Sequence, residues 1–366
     1  MIPYLDLVSH NRGLENDLVA AVRRVIAHGQ FILGPEVTEL EQRLVTLLGA
    51  RQVVSVGNGT DALVLALRVH GVGNGHEVIL PSHSFIASAT AVRLVGAVPV
   101  FADIDEPTML LDVGAAERAI TPKTRAIMPV HLNGYPCDMP AFEELCRRRK
   151  LALIEDCAQA FGSLRGGKHV GTFGTGCFSL HPLKALSALG DGGFISVQAD
   201  EPALTLRQWR NLGLLDRDHC IHVSGNSRLD TLQAAFLLTK LLHFPAWRAA
   251  RHAHAQAYRQ ALEGKVMLPP ASPDADATVT AFVIRHPRRD ALIEAMHRRG
   301  VDCKIHYPFA IHQHEAFADL PRTHLPVTER VVQQIVSLPV TPELSPSDRD
   351  RAIQAMSDSL AEVGSA

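Results

Sequence analysis

The sequence predicts an α/β protein, with a large domain on a mostly parallel mixed sheet and a smaller α+β domain at the C-terminal end. Apolar runs of strand length recur over residues 51–197 with helical patterns between them, and such alternation marks a parallel sheet. Several runs are apolar at consecutive positions, as expected of strands covered by helices on both faces. The rhythm then stops after Val197, and the rest of the chain reads as helices with two further strands.

In chain order, the expected strands of the large domain are 51–57, 76–82, 98–104, 124–130, 151–156, 174–180 and 192–197. Helical patterns such as DALVLALRVH, ASATAVRLV, DVGAAERAI and MPAFEELCRRR fill the gaps between the first five. Past Val197 come a helix in EPALTLRQWRNL, a loop rich in Asp, His and Ser, a strong helix in SRLDTLQAAFLLTKLLHF and a long helix over 246–262. The Pro/Ala/Asp stretch 268–277 is the clearest turn-rich segment. Beyond it TVTAFVIRH reads as a strand, RRDALIEAMHRRG as a helix stopped by glycine, and VDCKIHYP as a second strand. These patterns place a large domain at 1–245 and a small one at 246–366, with the opening 30 or so residues able to pack on either.

Composition narrows the function classes. At 366 residues the chain can form two domains, and 46% hydrophobic against 20% charged residues suits a full core. Lys plus Arg number 36 against 38 Asp plus Glu, a formal charge of -2, which offers no broad grip on nucleic acid or an anionic membrane. The six cysteines form no C-x-x-C, so neither a zinc site nor a disulfide framework is indicated. MIPYLDLVSHNRG has no signal-peptide pattern, and no run of 18 apolar residues occurs. A cytoplasmic protein that does not span a membrane is the expectation.

Four polar features fall at or just beyond strand ends, where open parallel sheets bind ligands. In GNGTDALVLAL, Gly57 and Gly59 permit a tight turn, Thr60 can cap a helix beginning near Asp61, and unpaired N–H groups there would receive a phosphate. An ordinary capped turn fits the same residues. In LALIEDCAQAFGS, Asp156 should project into the crevice from a rigid strand, with Gln159 three residues on; a strand-end aspartate can equally cap the next helix. In SLHPLKALSALGDGG, Lys184 stands alone in an apolar context. On a surface loop it would be ordinary, whereas in a crevice burial would depress its pKa and make a nucleophilic amine. Ser179 and His181 could reach the same ligand. Phe85, in PSHSFIASA, could cover a flat ring or sit in the core.

A planar, anionic, nitrogen-containing ring would use all of these groups: a phosphate cradle at 57–60, an aromatic cover, a carboxylate beside the ring nitrogen and a lysine. Pyridoxal phosphate is such a molecule, and an aspartate beside its nitrogen favours the protonated, electron-withdrawing ring. Spacing alone leaves other α/β enzymes open. The histidine pairs 252/254 and 312/314 are weak metal candidates, and His252 and His254, two apart on an expected helix, diverge. GVGNGHE lacks dinucleotide-binding spacing.

FILGPEVTELE (31–41), GNGTDAL (57–63), PVFADID (99–105), PVHLNGYPCDM (129–139), IEDCAQAFGS (154–163), SLHPLKALSALGDGG (179–193), NSRLDTLQAAFL (226–237) and IHYP (305–308) carry a further signal. Through them, over nearly its whole length, the chain resembles the DegT/DnrJ/EryC1/StrS family of pyridoxal-phosphate-dependent sugar aminotransferases. The resemblance implies a type I aminotransferase fold and a homodimer with shared active sites. It implies that Lys184 holds the cofactor covalently, that Asp156 pairs with the ring nitrogen, and that Gln159 contacts the ring-hydroxyl side. Phosphate contacts would come from Thr60, the backbone around Gly59 and Asp61, Ser179, and Asn226 of the neighbouring subunit. Phe85 would stack on the ring, and His181, His306 and Tyr307 would face substrate.

Leu180 departs from a common Phe, and Ser-Gly precedes Asn226 where Gly-Tyr is more usual. Relatives that dehydrate sugars replace the lysine with histidine; this chain keeps Lys184. The implied reaction moves an amino group from glutamate or glutamine to a keto sugar, usually nucleotide-linked, through pyridoxamine phosphate. GDGG after the lysine leans toward C3 rather than C4. The alternatives are a pyridoxal-phosphate-dependent sugar dehydratase or epimerase, and a noncatalytic α/β binding or regulatory protein.

Overall fold

The computed structural model describes residues 1–364 apart from 270, 272, 273 and 322. The large sheet consists of β1 (Gln52–Val56), β2 (Glu77–Pro81), β3 (Val98–Ala102), β4 (Thr124–Ile127), β5 (Ala152–Asp156) and, after a hairpin of β6 (Leu164–Arg165) and β7 (Lys168–His169), β8 (Thr175–Ser179) and β9 (Gly193–Val197). All seven strands of the sheet lie within the expected apolar runs. Their spatial order is β1-β9-β8-β5-β4-β2-β3. Neighbours from β8 to β3 pair in parallel, and β9 runs antiparallel to both β1 and β8.

The helices of this part are α1 (Leu7–Arg12), α2 (Glu15–His28), α3 (Pro35–Leu48), α4 (Gly59–Val69), α5 (Ala87–Leu94), α6 (Val113–Arg118), α7 (Met139–Arg149), α8 (Asp200–Trp209) and α9 (Thr231–Leu241). Local chemistry sets their ends. For example, α3 opens with Pro35 in its first turn and stops at Gly49, whose φ of 68° is left-handed. Successive strand residues point to opposite faces, so both faces need cover. Val54, Leu80 and Ile195 meet Leu65, Val92 and Leu206 on the α4/α5/α8 side. Val53, Phe178 and Phe194 meet Leu40, Leu44 and Leu237 of α3 and α9. Ile79 and Ile127 meet Phe142 and Leu145 of α7. Each fully buried aliphatic side chain contributes roughly 2 kcal/mol by transfer from water, which is why these strands read as unbroken apolar runs.

The C-terminal part holds α10 (Phe244–Leu262), β10 (Ala275–Asp276), β11 (Phe282–Arg285), α11 (Arg289–Arg298), α12 (Pro326–Val331), β12 (Ile335–Leu338) and α13 (Pro346–Val363). β11 and β12 form a two-stranded antiparallel sheet, over a core of Tyr258, Phe282, Ile284, Met296, Val336 and Met356. Here one expectation fails: VDCKIHYP is not a strand. It makes only single bridges, Val301 with Ile2 and Lys304 with Ser337, before crossing toward the large sheet. The second strand is Ile335–Leu338 instead. Of the turn-rich stretch 268–277, residues 270, 272 and 273 lie outside the described set; Ala275–Asp276 pair with β6.

The opening residues serve both parts. Leu14, Leu18, Ala21 and Val25 pack against Ala235 and Phe236 of α9, while Ile2 enters the C-terminal core. Among the described residues no helix is long and apolar enough to cross a membrane, and all six cysteines are free.

Candidate active site

The parallel strands β8 and β5 end side by side, and polar groups from distant parts of the chain gather at those ends. Asp156 closes β5 and is 4% exposed. Its Oδ1 accepts the Ala158 N–H at 3.1 Å and its Oδ2 accepts the Ser88 hydroxyl at 2.7 Å. The strand end is held rigid by the preceding residue. Glu155, fully buried, accepts N–H groups of Gly171, Phe173 and Gly174 at 2.7–2.9 Å and the His131 Nε2–H at 3.2 Å. His131 Nδ1 accepts the Cys137 N–H at 3.0 Å. His131, Glu155 and Cys157 have ligand atoms within 4.8 Å of one another, but the first two already spend their donor and acceptor atoms on these bonds. The trio therefore reads as a structural knot.

The N-terminus of α4 lies against the end of β8. A Cβ on Gly59 would stand 2.7 Å from the Ser179 Cβ and 3.2 Å from its Oγ, so only glycine allows this approach. The helix cap differs from the expectation. Asn58, not Thr60, is the cap: its side-chain oxygen accepts the Asp61 N–H at 2.8 Å, and the helix starts at Gly59. Thr60 is thereby left with a hydroxyl that makes no hydrogen bond among the described residues. The Asp61 N–H is consumed, and the Asp61 carboxylate accepts from Ser227 Oγ at 2.6 Å and Asn58 Nδ2 at 3.0 Å. Asp61 thus shapes the turn, while the Gly59 and Thr60 N–H groups stay open at the helix end, where unpaired amides favour an anion.

Lys184 sits on the loop between β8 and β9, half-buried, and makes no hydrogen bond or ion pair among the described residues. Burial holds its ammonium below the usual lysine pKa, partly opposed by the charge of Asp156. Asp156 ends β5 beside β8, and Lys184 follows the end of β8 by five residues, so the two groups lie at the same end of the sheet. From the C-terminal part, the segment after Lys304 brings His306 and Tyr307 to the same place. Burial, reinforced by Lys184 and Lys304, pushes the His306 imidazole down to about 4, so it is neutral near pH 7. Its Nδ1 lies 2.9 Å from Ser337 Oγ. Burial and then the Asp156 charge raise the Tyr307 phenol. Gln159 Nε2 donates to Tyr307 Oη at 3.0 Å, and its Oε1 accepts the Asn133 N–H at 2.7 Å. Phe85, 50% exposed, has its ring centroid 5.5 Å from that of Tyr307.

Lys184, Asp156, Gln159, Phe85, His306 and Tyr307 are thus brought together, with Gly59, Thr60 and Ser179 at the neighbouring helix end. Of the residues expected in this chain's own site, His181 is not drawn in. His181 is exposed and its Nδ1 turns back to the Leu183 N–H at 3.2 Å. Asn226 is exposed beside Ser227, and its side chain makes no hydrogen bond among the described residues. Sequence reasoning missed Asn58, Ser84 and Ser88. Asn three residues before Asp61 and two serines four apart at a helix start were the available signals. The residues present fit pyridoxal phosphate: open N–H groups and a hydroxyl for a phosphate, a carboxylate at a strand end, an exposed aromatic, and an amine without a hydrogen-bond partner among the described residues.

Comparison with known proteins agrees. Residues 13–357 match the DegT/DnrJ/EryC1/StrS aminotransferase family. The chain is 40% identical over 345 residues to a UDP-N-acetyl-3-dehydro-alpha-D-glucosamine 3-aminotransferase of Acidithiobacillus ferrooxidans, covering 94% of each. It is 39% identical over 360 residues to a dTDP-3-amino-3,4,6-trideoxy-alpha-D-glucose transaminase of Streptomyces venezuelae, covering 97% of this chain and 95% of the relative. Among solved structures, ntda from Bacillus subtilis with bound cofactor PMP (pyridoxamine phosphate) superposes with a TM-score of 0.93. That match has 28% identity and covers 98% of this chain and 85% of the other.

Proposed function

The chain belongs to the DegT/DnrJ/EryC1/StrS aminotransferase family, and from that premise we propose that it moves an amino group from glutamate or glutamine to the keto carbon of a nucleotide-linked sugar, at C3 ahead of C4. The observation that carries the reading is that Asp156 ends β5 beside the end of β8, whose following loop bears Lys184, while Gln159, three residues on, holds Tyr307. The relatives' names, a 3-dehydro and a 3-amino sugar, support C3, as does the GDGG just after Lys184.

Pyridoxal phosphate is the cofactor, and when bound it supplies an electron-withdrawing ring and a carrier for the amino group between the two half-reactions. In this reading the Gly59 and Thr60 N–H groups, the Thr60 hydroxyl and Ser179 hold its phosphate. Asp156 holds the ring nitrogen, Gln159 the hydroxyl side, and Phe85 covers the face. Lys184 Nζ is the mobile base. Its desolvated amine has a larger neutral fraction than a surface lysine, and its tether keeps it within reach of both carbons between which a proton must move. Neutral His306 and the un-ionised Tyr307 phenol offer hydrogen bonds to a sugar without adding charge, and His181 stands at the rim.

The reading includes a homodimer in which Asn226 meets the partner's phosphate site. In its support, the arm carrying Asn226 exposes Leu215, Ile221 and Val223, the last at 94%, an apolar surface that a second copy would cover. Sedimentation is expected to give twice the monomer mass. The activity is tested by a screen of amino donors and keto sugar nucleotides with Lys184→Ala as control, products being read by mass and proton couplings. Donor nitrogen in the product supports the proposal. A dehydrated or epimerised product without that nitrogen would replace it.

A further inference from the structure

Asp156 is held from behind by a pair of buried hydroxyls that nothing in the family resemblance assigns. Ser88, in the first turn of α5, is 1% exposed and Ser84 3%. Ser84 Oγ lies 2.8 Å from Ser88 Oγ, and Ser88 Oγ lies 2.7 Å from Asp156 Oδ2. A helical serine or threonine commonly turns its hydroxyl back to the carbonyl four residues earlier. Thr90, two residues on, does this with Ile86 O at 2.9 Å. Ser88 instead spends its proton on a carboxylate 68 residues away.

Proton accounting fixes the direction of the chain. An ionised carboxylate only accepts, so the Ser88 hydrogen points at Asp156 Oδ2. The free lone pair of Ser88 then receives the hydrogen of Ser84. With the Ala158 N–H on Oδ1 at 3.1 Å, each carboxylate oxygen has one fixed donor and keeps a lone pair for a further partner.

We propose that Ser88, supported by Ser84, is a positioning residue for Asp156: the Ser84–Ser88–Asp156 chain orients the carboxylate toward the cofactor's ring nitrogen. The inference rests on the pyridoxal-phosphate reading of this pocket. Its role is in aiming the carboxylate, and Ser88 itself touches no reacting atom.

The test loads the full-length protein with pyridoxal phosphate carrying ¹⁵N in the ring, and reads the ring-nitrogen chemical shift and cofactor retention on dialysis. Ser88→Ala is expected to move the resonance toward unprotonated pyridine and to weaken retention about tenfold or more, the size of one hydrogen bond to a charged group. Ser88→Thr is expected to restore both, and Ser84→Ala to cause a smaller shift in the same direction. Asp156→Asn is the reference. If it moves the resonance and Ser88→Ala does not, the hydroxyl chain is without effect and the inference falls. If Asp156→Asn leaves the resonance unmoved, the assignment of the pocket falls instead. Should Ser88→Ala fail to fold, Ser84→Ala decides alone: a wild-type shift overturns the proposal.

Discussion

Replacing Gly59 by alanine asks whether the close contact between α4 and β8 is needed for both stability and cofactor binding. The added Cβ would sit 2.7 Å from the Ser179 Cβ. Carbon atoms pack comfortably at about 3.5–4.0 Å, so the helix end must retreat by about 1 Å or the Ser179 backbone must yield. Overpacking of this kind costs about 1–3 kcal/mol. Alanine's better helix propensity returns at most about 1 kcal/mol. A net loss of about 1–2 kcal/mol corresponds to a fall of a few degrees in melting temperature. The same retreat carries the Gly59 and Thr60 N–H groups and the Thr60 hydroxyl away from Ser179. Loss of one charged hydrogen bond's worth of binding, about 1.5 kcal/mol or more, would weaken cofactor affinity at least tenfold. Thermal melting and equilibrium dialysis with pyridoxal phosphate measure the two effects. Gly13→Ala, whose Cβ would meet nothing within 4 Å, is the control expected to change neither. A Gly59→Ala protein that melts with the wild type and binds cofactor within twofold would refute both the steric argument and the placement of the phosphate.

The same geometry sets three other outcomes. Lys184→Ala is expected to abolish turnover while retaining noncovalent cofactor, seen as product loss by mass with the cofactor still co-eluting on gel filtration. Glu41, 6% exposed, accepts from Ser55 N and Oγ at 2.9 and 2.8 Å and pairs with Arg207 and with Arg210, itself 7% exposed. Glu41→Ala strands a buried guanidinium and should cost about 3–5 kcal/mol in urea unfolding; a loss below about 1 kcal/mol would contradict this. The His306 imidazole falls from its ordinary pKa to about 4 on folding. Between about pH 6.5 and 4 the unfolded chain therefore binds a proton that the folded chain refuses. Stability is full above that window and declines as pH falls through it, by about 1–3 kcal/mol after allowance for solvent screening. His306→Gln should flatten the slope of unfolding free energy against pH; an unchanged slope would exclude His306 as its source.

The large sheet was legible because its strands are buried on two faces. Val53 and Val54 serve opposite cores, as do Phe194 and Ile195, and this leaves a consecutive apolar run that no surface strand needs. β12 was not legible. IVSL is four residues long and lies just after a helix, and its partner strand β11 is remote in the chain, Ile335 pairing with Arg285. VDCKIHYP has the alternation of a strand, with Val301 and Cys303 buried, but its course toward the large sheet allows only bridges. In the site, Lys184, Asp156 and Thr60 could be singled out because a charged or hydroxyl group at a strand end stands out against apolar neighbours. Ser84 and Ser88 did not, since small hydroxyl residues in a helix start look like packing. His306 and Tyr307 came only through the IHYP resemblance, because a contact spanning 148 residues, such as Gln159 with Tyr307, leaves no local pattern.

The antiparallel course of β9 has a consequence for how this protein can vary. Ser179 pairs with Gly193 across β8 and β9, the Leu180 N–H donates to Gly192 O at 2.8 Å, and the Ala188 N–H donates to Leu180 O at 2.7 Å. Both ends of the segment bearing Lys184 are therefore stitched to the same edge, like a short strap buckled at each side. An inserted or deleted residue within 180–192 would change directly how far the amine extends. Length variation should therefore be purged from the strap.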